Sequence, residues 1–117
     1  MKHFTFSEFD SPDAPGSGEN MNTAFLEKLD MAREMAGVPF IITSGYRTVP
    51  RNLKVGGTPT SSHLKGIACD IACATSEKRW AIIDSLLAAG FTRVGISSRF
   101  IHVDDDPDKP RNVIWTY

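Results

Sequence analysis

Two short segments of this chain carry side chains that could bind one metal ion. His63 and Asp70 lie seven residues apart in the first segment, and His102 lies in the second. Imidazole nitrogen and carboxylate oxygen are common zinc ligands, and a catalytic zinc keeps three protein ligands and a fourth position for water. Zinc in such a site lowers the pKa of bound water to about 7 and polarises the carbonyl under attack. Two histidines and one aspartate therefore predict a site for one zinc ion with an open position.

The spacing of the first two residues differs from the helical H-E-x-x-H arrangement, in which two ligands one turn apart share a helix face. Gly66 lies between His63 and Asp70, and the β-prone run of residues 67–73 includes Asp70. We therefore place His63 on a loop and Asp70 on a strand. Alternation along this strand puts the alanines two residues before and after Asp70 on its face. Their small side chains leave room for a metal and a substrate.

A second predicted strand, residues 100–104, carries His102. By the same alternation, Phe100, His102 and Asp104 project to one side of this strand. A neighbouring position in the sheet would bring His102 to the metal, with Asp104 one step further along the same face. His3 has no comparable context, so we expect it in a mobile N-terminus and assign it no function.

Three motifs follow one another along the chain: a segment at 41–47 that ends in S-G-Y-R, an S-x-H-x-x-G-x-A-x-D block at 61–70, and H-x-D at 102–104. In these motifs and their order, which span about half of the chain, it resembles the zinc D-Ala-D-Ala carboxypeptidase family of peptidoglycan peptidases. The wider group includes lysostaphin-type enzymes and the hedgehog signalling domain. The segment at 6–10 and Trp115 are also similar to short phage and bacterial members of the family.

The resemblance implies that the zinc ligands are His63, Asp70 and His102. It also implies that Arg47 holds the substrate's carboxylate or the developing oxyanion, and that Tyr46 and Ser61 contact the substrate. The role suits Arg47, because a guanidinium pairs bidentately with a carboxylate and stays charged at any working pH. A surface arginine without a role is the alternative for Arg47.

One position departs from the family pattern. Many members carry the catalytic acid/base, Asp or Glu, three residues before the last histidine, where this chain has Arg99. Asp104 is therefore our candidate for the general base. An equal alternative is that the Asp104 carboxylate orients an imidazole through its free ring nitrogen. Asp105 and Asp106 extend the acidic run, and we interpret them as a solvated turn.

Length and composition predict one small domain over residues 1–117. The chain has 117 residues, of which 41% are hydrophobic, enough for one core. No run approaches the roughly 20 apolar residues needed to cross a bilayer. The net charge of −1, with no basic patch in the sequence, gives no reason to expect nucleic acid. We expect a monomer with neither a nucleic-acid nor a membrane partner.

Two helices and several strands are predicted around these motifs. Apolar residues recur at helical spacing over 22–36, where Gly37 is placed to end the helix. A second helix fits residues 76–89, with Gly90 as its stop. The face of this helix that we expect to pack on the sheet carries Trp80, Ile83 and Leu87.

Strands are predicted over 38–43, as a hairpin at 94–96 and 100–103, and as a last short strand at 113–115. Residues 48–62, rich in Pro and Gly, are expected to form a long loop that shapes the substrate groove, with disorder as the alternative. These elements predict an α+β fold with two main helices on a small, largely antiparallel sheet. The resemblance implies the fold of the hedgehog and D-Ala-D-Ala peptidase group.

The two cysteines, Cys69 and Cys73, lie on either side of Asp70. Four residues apart on one strand, they are too distant for an unstrained disulfide, which needs Cα atoms within about 7 Å. We interpret both as buried small hydrophobic residues. A C-x-x-x-C metal pair is the alternative.

The resulting expectation is a zinc-dependent peptidase that hydrolyses a bond in peptidoglycan stem peptides or cross-links, of carboxypeptidase or endopeptidase type, such as a phage endolysin. The alternative is a non-catalytic, zinc-containing module that binds cell wall or serves as a phage structural part, because Arg99 replaces an acidic residue. The first ten residues lack the features of a signal peptide. We therefore expect synthesis in the cytoplasm, followed by action on the cell wall after release or as part of a virion.

Overall fold

The computed structural model describes residues 1–117. Its α-helices are α1 (Thr23–Ala36), α2 (Val49–Lys54) and α3 (Ser76–Ala88). Its strands are β1 (Ile42–Ser44), β2 (Ala68–Ala72), β3 (Arg93–Ile96), β4 (Phe100–Asp104) and β5 (Val113–Thr116). Short 3-10 helices lie at Phe6–Phe9, Ser17–Asn20 and Ser62–Lys65. The α+β class predicted from the sequence is confirmed.

The five strands form one sheet in the order β1-β2-β4-β3-β5. Every neighbouring pair is antiparallel except β3 and β5, which run parallel. The predicted hairpin is formed by β3 and β4, and the predicted last strand, β5, lies at one edge of the sheet. The sheet is therefore largely antiparallel, as expected.

One face of the central strands lies in the hydrophobic core. The core side chains of β2 and β4 are Cys69, Ile71, Ile101 and Val103. Helix α1 packs against α3, and α3 packs against β4. Both cysteines are free and buried, Cys69 and Cys73 alike, as predicted for small hydrophobic residues. Because successive side chains of a strand point to opposite faces, the other face of β2 and β4 is left for polar groups.

Both main helices begin and end at local sequence signals. The Asn22 side chain accepts a hydrogen bond of 2.9 Å from the Phe25 N–H, and Gly37 ends α1 with a φ of 68°. The Thr75 side chain caps α3 by accepting from the Lys78 N–H. No helix of this structure has both the length and the apolar character needed to span a bilayer.

The prediction of the inward face of α3 was wrong. The buried residues of α3 are Ile82, Ser85 and Leu86. Trp80 is 75% exposed and Leu87 is 45% exposed, while Ile83 packs only partly against the core. Apolar residues of α3 are spread over most of its circumference, so their spacing did not identify the inner face. Packing of α3 against α1 and β4 determines which face is buried.

Two other segments differ from the prediction. The strand expected over 38–43 begins only at Ile42 and ends at Ser44, as β1. Pro39, which has no N–H to donate to a ladder, lies before it. The loop expected over 48–62 begins with α2. The side chain of Thr48 caps this helix, and Pro50 lies in its first turn, a position that suits proline because its missing N–H has no helical partner there.

The N-terminus is tied to α1 and is not the free segment that we expected. Backbone N–H groups of Lys2 and His3 donate to the Asp30 carboxylate at 2.9 and 2.8 Å. The His3 ring hydrogen-bonds Glu34, and the His3 carbonyl accepts from Arg33 at 3.0 Å. The side chain of His3 therefore has a structural contact on α1.

Candidate metal centre

Strands β2 and β4 place Asp70 directly opposite His102 in an antiparallel register. Residues directly opposite each other in such a pair project to the same face. Nδ1 of His102 lies 2.9 Å from Oδ1 of Asp70. Phe100 and Asp104 share this face through the two-residue repeat of β4. The sheet thus carries a polar cluster on the face opposite its core.

His63 lies on the 3-10 helix Ser62–Lys65 and not on an irregular loop, as the spacing had suggested. The Ser61 side chain caps this helix by accepting from the His63 N–H at 3.3 Å. Gly66 ends it with a φ of 70°. A Cβ at Gly66 would lie 2.4 Å from the Asn20 carbonyl oxygen, so the close packing also requires glycine. The local sequence therefore defines one tight turn that carries His63.

Three side chains from separate parts of the chain converge at this point: His63, Asp70 and His102. Each offers a ligand atom within 4.8 Å of the others, and all three residues are buried. Two ligand atoms about 2.05 Å from a tetrahedral zinc ion are about 3.3 Å apart. The Asp70 oxygen lies 2.9 Å from Nδ1 of His102 and 3.4 Å from Nε2 of His63, close to that separation.

The ring nitrogen of each histidine that does not face Asp70 forms a hydrogen bond with another group. Nδ1 of His63 lies 2.8 Å from the Gly45 carbonyl oxygen. A carbonyl only accepts, so Nδ1 carries the proton and Nε2 presents a lone pair toward Asp70. Nε2 of His102 lies 2.7 Å from Oδ2 of Asp104, which leaves Nδ1, 2.9 Å from Asp70, as the nitrogen that faces the cluster. Metal-ligating histidines adopt this arrangement, and the residues present fit one zinc ion.

The surroundings of Asp70 and His102 stabilise the ionised form of each side chain. Burial alone would raise the pKa of the Asp70 carboxyl, but the adjacent imidazoles of His102 and His63 hold that pKa well below its ordinary value. Burial also works against a charged His102, yet its bonds to Asp104 and Asp70 raise its pKa above the ordinary value. Asp104 is already paired with Arg93, so Asp70 is the carboxylate of the cluster that is left to bind a cation such as a divalent ion.

Arg47 reaches this cluster from the segment after β1. Its guanidinium donates to Oγ of Ser44 at 3.2 Å and to Oδ1 of Asn52 at 3.3 Å, and lies 3.7 Å from Oδ2 of Asp70. Burial lowers the pKa of Arg47, and the Asp70 charge opposes this change. The Arg47 side chain is only 16% exposed, so its place is beside the cluster and not on the free surface.

Asp104 has both carboxylate oxygens engaged. Oδ2 accepts from His102, while Oδ1 accepts from Nε of Arg93 at 2.7 Å and from the Asp106 N–H at 3.0 Å. Burial would raise the pKa of Asp104, but these hydrogen bonds lower it. The contacts favour an orienting role toward His102 and leave neither oxygen of Asp104 without a partner.

The cluster lines an open cleft of about 340 Å³. Arg47 and Ser61 line the same cleft. Tyr46 packs partly against the hydrophobic core and lines an adjoining pocket, which shares Arg47 and Asp70 with the cleft. Arg99 is exposed in the β3–β4 turn and is not a lining residue, so the carboxylates of the cleft are Asp70 and Asp104.

Sequence reasoning missed the role of Asp106, because the turn after β4 is not solvated as expected. Asp106 is 1% exposed and accepts from Oγ of Ser62 at 2.7 Å and from Nζ of Lys65 at 2.9 Å. Asp105 pairs with Lys28 at 2.9 Å. Asp106 thus joins the turn that carries His63 to the end of β4. No local pattern could reveal this pairing, since Lys65 lies 41 residues away.

An α+β fold with a largely antiparallel sheet and a His-Asp-His cluster in an open cleft is the arrangement expected of a metallopeptidase of the M15 type. The chain belongs to the peptidase M15 family, whose sequence model matches residues 2–104. The matched residues include the whole cluster, and the resemblance inferred from the motifs is confirmed. A comparison with curated proteins finds no match.

Proposed function

We propose that this protein is a zinc-dependent peptidase that hydrolyses a bond in peptidoglycan stem peptides or cross-links. The observation that carries the proposal is the convergence of His63, Asp70 and His102 in an open cleft of a chain from a peptidase family. In this proposal residues 1–117 form one domain and act as a monomer, on cell wall reached after release from the cell or as part of a virion.

The proposed ligands of a single zinc ion are His63, Asp70 and His102. When bound, zinc supplies Lewis acidity toward the scissile carbonyl and lowers the pKa of water. The Gly45 carbonyl and the Asp104 carboxylate hold the two imidazoles in the tautomers whose lone pairs face Asp70. These two contacts keep the donor atoms oriented before the substrate arrives.

Arg47 is proposed to bind the substrate. Its guanidinium, 3.7 Å from Asp70, is held by Ser44 and Asn52 beside the proposed zinc ligands. In this place it can pair with a substrate carboxylate or with the oxyanion that develops at the scissile carbonyl. Ser61, in the cleft, and Tyr46, in the adjoining pocket, are proposed to extend the surface that contacts the peptide.

The charge of the cleft suits an acidic peptide. Arg47, Arg93 and Lys109 line it together with the carboxylates of Asp70 and Asp104. Arg93 is paired with Asp104, and Lys109 donates to Ser62 and lies 3.6 Å from Asp106. With Asp70 assigned to the metal, Arg47 is the cation that remains for the substrate. Stem peptides carry free carboxylates, which such a cleft attracts.

A second candidate function is a zinc-containing module that binds cell wall, or a phage structural part, without turnover. Two observations favour it: Arg99 occupies the position where an acidic group was expected, and both Asp104 oxygens have partners. General acid–base catalysis contributes about 10²–10⁴-fold, so its loss would leave a binding protein with little activity. The two candidates differ in turnover and agree in zinc binding.

Mass spectrometry of muropeptides separates these functions. Purified cell walls are incubated with zinc-loaded protein, with protein stripped by a chelator, and with stripped protein to which zinc is returned. If the protein is a peptidase, shortened stem peptides or opened cross-links are expected in the first and third samples. The masses of these products identify the bond that is cut. Sedimentation of the protein with the walls and no new products would favour the binding module. Neither binding nor products in any sample would contradict the peptidase and the module that binds cell wall.

A further inference from the structure

Strand β5 and the residue that follows it bring two aromatic side chains to the cleft. Trp115 and Tyr117 line it beside Phe100 of β4. The family match ends at Asp104, so β5 lies outside the residues that it covers. Of the four hydrophobic residues that line the cleft, these three are aromatic and the fourth is Val55. We refer to Phe100, Trp115 and Tyr117 as the aromatic wall.

The sheet itself positions the indole of Trp115. Gly95 on β3 pairs with Trp115 on one side and with His102 on the other. A Cβ at Gly95 would lie 2.7 Å from the indole ring of Trp115, far inside van der Waals contact. Glycine therefore lets the indole lie over β3 toward His102, with 5.5 Å between the two ring centroids.

The remaining contacts join the wall into one surface. The ring centroid of Tyr117 lies 5.3 Å from that of Phe100 and 6.5 Å from that of Trp115. The Arg93 guanidinium lies 4.9 Å from the Trp115 ring centre, while its Nε is bonded to Asp104. Tyr117 is 69% exposed, so packing in the core does not account for its position.

We infer that the aromatic wall is a subsite, beside the proposed metal centre, that binds an aliphatic side chain of the substrate peptide. This inference rests on the proposed function. The wall is the apolar part of a cleft whose other lining residues are mostly polar or charged. An aliphatic side chain laid on the rings removes apolar surface of both partners from water, whereas glycine gains nothing there. The longest aliphatic stem in a lysine-type stem peptide belongs to its lysine.

Tryptophan fluorescence gives a test of binding that does not depend on turnover. The chain has two tryptophans, and Trp80 on α3 lines a different groove. In Trp80→Phe, the remaining emission comes from Trp115. The probes are the pentapeptide L-Ala-γ-D-Glu-L-Lys-D-Ala-D-Ala and the same peptide with glycine replacing lysine. After rapid mixing with zinc-loaded protein, the lysine peptide should change the emission and bind about tenfold or more tightly than the glycine peptide.

Variants of the wall complete the test. Tyr117→Ala and Trp115→Leu should lose most of the preference for the lysine peptide, measured as the ratio of kcat/KM values. Thr116→Ala, one step along the same strand, should keep it. Zinc content, measured for each variant, verifies that the metal centre is intact. If Trp115→Leu fails to fold, Tyr117→Ala still tests the wall, because the side chain of Tyr117 is mostly exposed.

The outcomes separate the inference from the proposed function. Hydrolysis of both peptides with equal kcat/KM by the wild-type protein would overturn the subsite and leave the peptidase in place. Equal losses on both peptides in Tyr117→Ala and Trp115→Leu would also overturn it. Failure of the zinc-loaded wild type to bind or hydrolyse either peptide would contradict the proposed function, and the subsite with it.

Discussion

The Gly45 carbonyl oxygen lies 2.8 Å from Nδ1 of His63 and fixes the tautomer that presents Nε2 toward Asp70. Gly45 can reach this position because its Cα packs on the backbone of Phe9. A Cβ on Gly45 would lie 2.7 Å from the Phe9 Cα. The glycine of the S-G-Y-R motif is thus explained by close packing that aims one carbonyl at one imidazole.

Gly45→Ala should therefore weaken zinc binding by about 10–100-fold, the usual effect of disturbing a partner of a metal-ligating histidine. Competition with a chelating dye measures this affinity. Gly37→Ala is the matched control, since a Cβ there meets no atom within 4 Å but its φ of 68° is strained for alanine. The control should lose about 1 kcal/mol of unfolding free energy and keep its zinc affinity. Equal zinc affinity in both variants would contradict the role of the Gly45 carbonyl.

Asp104→Asn separates the two interpretations of Asp104. If the carboxylate orients His102, zinc affinity should fall by about 10–100-fold, and excess zinc should restore most of kcat. Asp104 as general base would instead give unchanged zinc affinity and a kcat about 10²–10⁴ lower at saturating zinc. Zinc titration and kcat at saturating zinc are the two measurements. The engaged oxygens of Asp104 lead us to expect the first result.

Asp106 should stabilise the fold in a pH-dependent manner. Burial works to raise its pKa, but Lys65 and Ser62 lower that pKa to about 2, below the ordinary value of about 3.9. A depressed pKa in the folded state adds stability above about pH 4, and this stability is lost as the pH falls through about 2. Asp106→Asn should therefore reduce the unfolding free energy at pH 7 by about 2 kcal/mol.

Urea denaturation of wild-type protein and Asp106→Asn at pH 7 and near pH 2.5 measures the effect. The difference between the two proteins should shrink at the lower pH. Asp108→Asn is the control, because the Asp108 side chain is 80% exposed and its pair with Lys65 is a surface contact. A difference for Asp106→Asn that is independent of pH would contradict the electrostatic explanation.

Arg47→Lys tests the proposed carboxylate contact. A lysine keeps the charge but offers no planar fork for a bidentate pair, so we expect KM for an acidic stem peptide to rise about tenfold. Zinc affinity should stay close to that of the wild type. Arg79→Lys, on α3 and in a different groove, is the matched control. An unchanged KM in Arg47→Lys would remove Arg47 from substrate binding.

Local signals predicted the parts of the fold that local interactions determine. The apolar spacing over 22–36, Gly37 and the two-residue alternation around Asp70 and His102 identified α1 and the polar face of β2 and β4. Thr48 and Pro50 were a usable signal for α2 that the prediction of a loop ignored. Such features follow from a few neighbouring residues, so the sequence exposes them.

Long-range contacts were the part that the sequence did not expose. Trp80 lies outside because α1 and β4 select another face of α3. Gly45 contacts His63, and Lys65 contacts Asp106. The residues of each pair are distant in the chain and meet only in the folded structure. The ring nitrogens that face the proposed metal depend on these contacts, and spacing alone did not determine them.

Zinc stoichiometry measured by mass spectrometry of dialysed protein tests the central claim most directly. The chain has three histidines, and His3 is the control because it bonds to α1 far from the cluster in sequence. We predict one zinc per chain in the wild type and in His3→Ala, and none in His63→Ala, Asp70→Ala or His102→Ala, with circular dichroism verifying that each is folded. A wild-type protein that binds no zinc, or folded variants of the cluster that keep a full equivalent, would contradict the account.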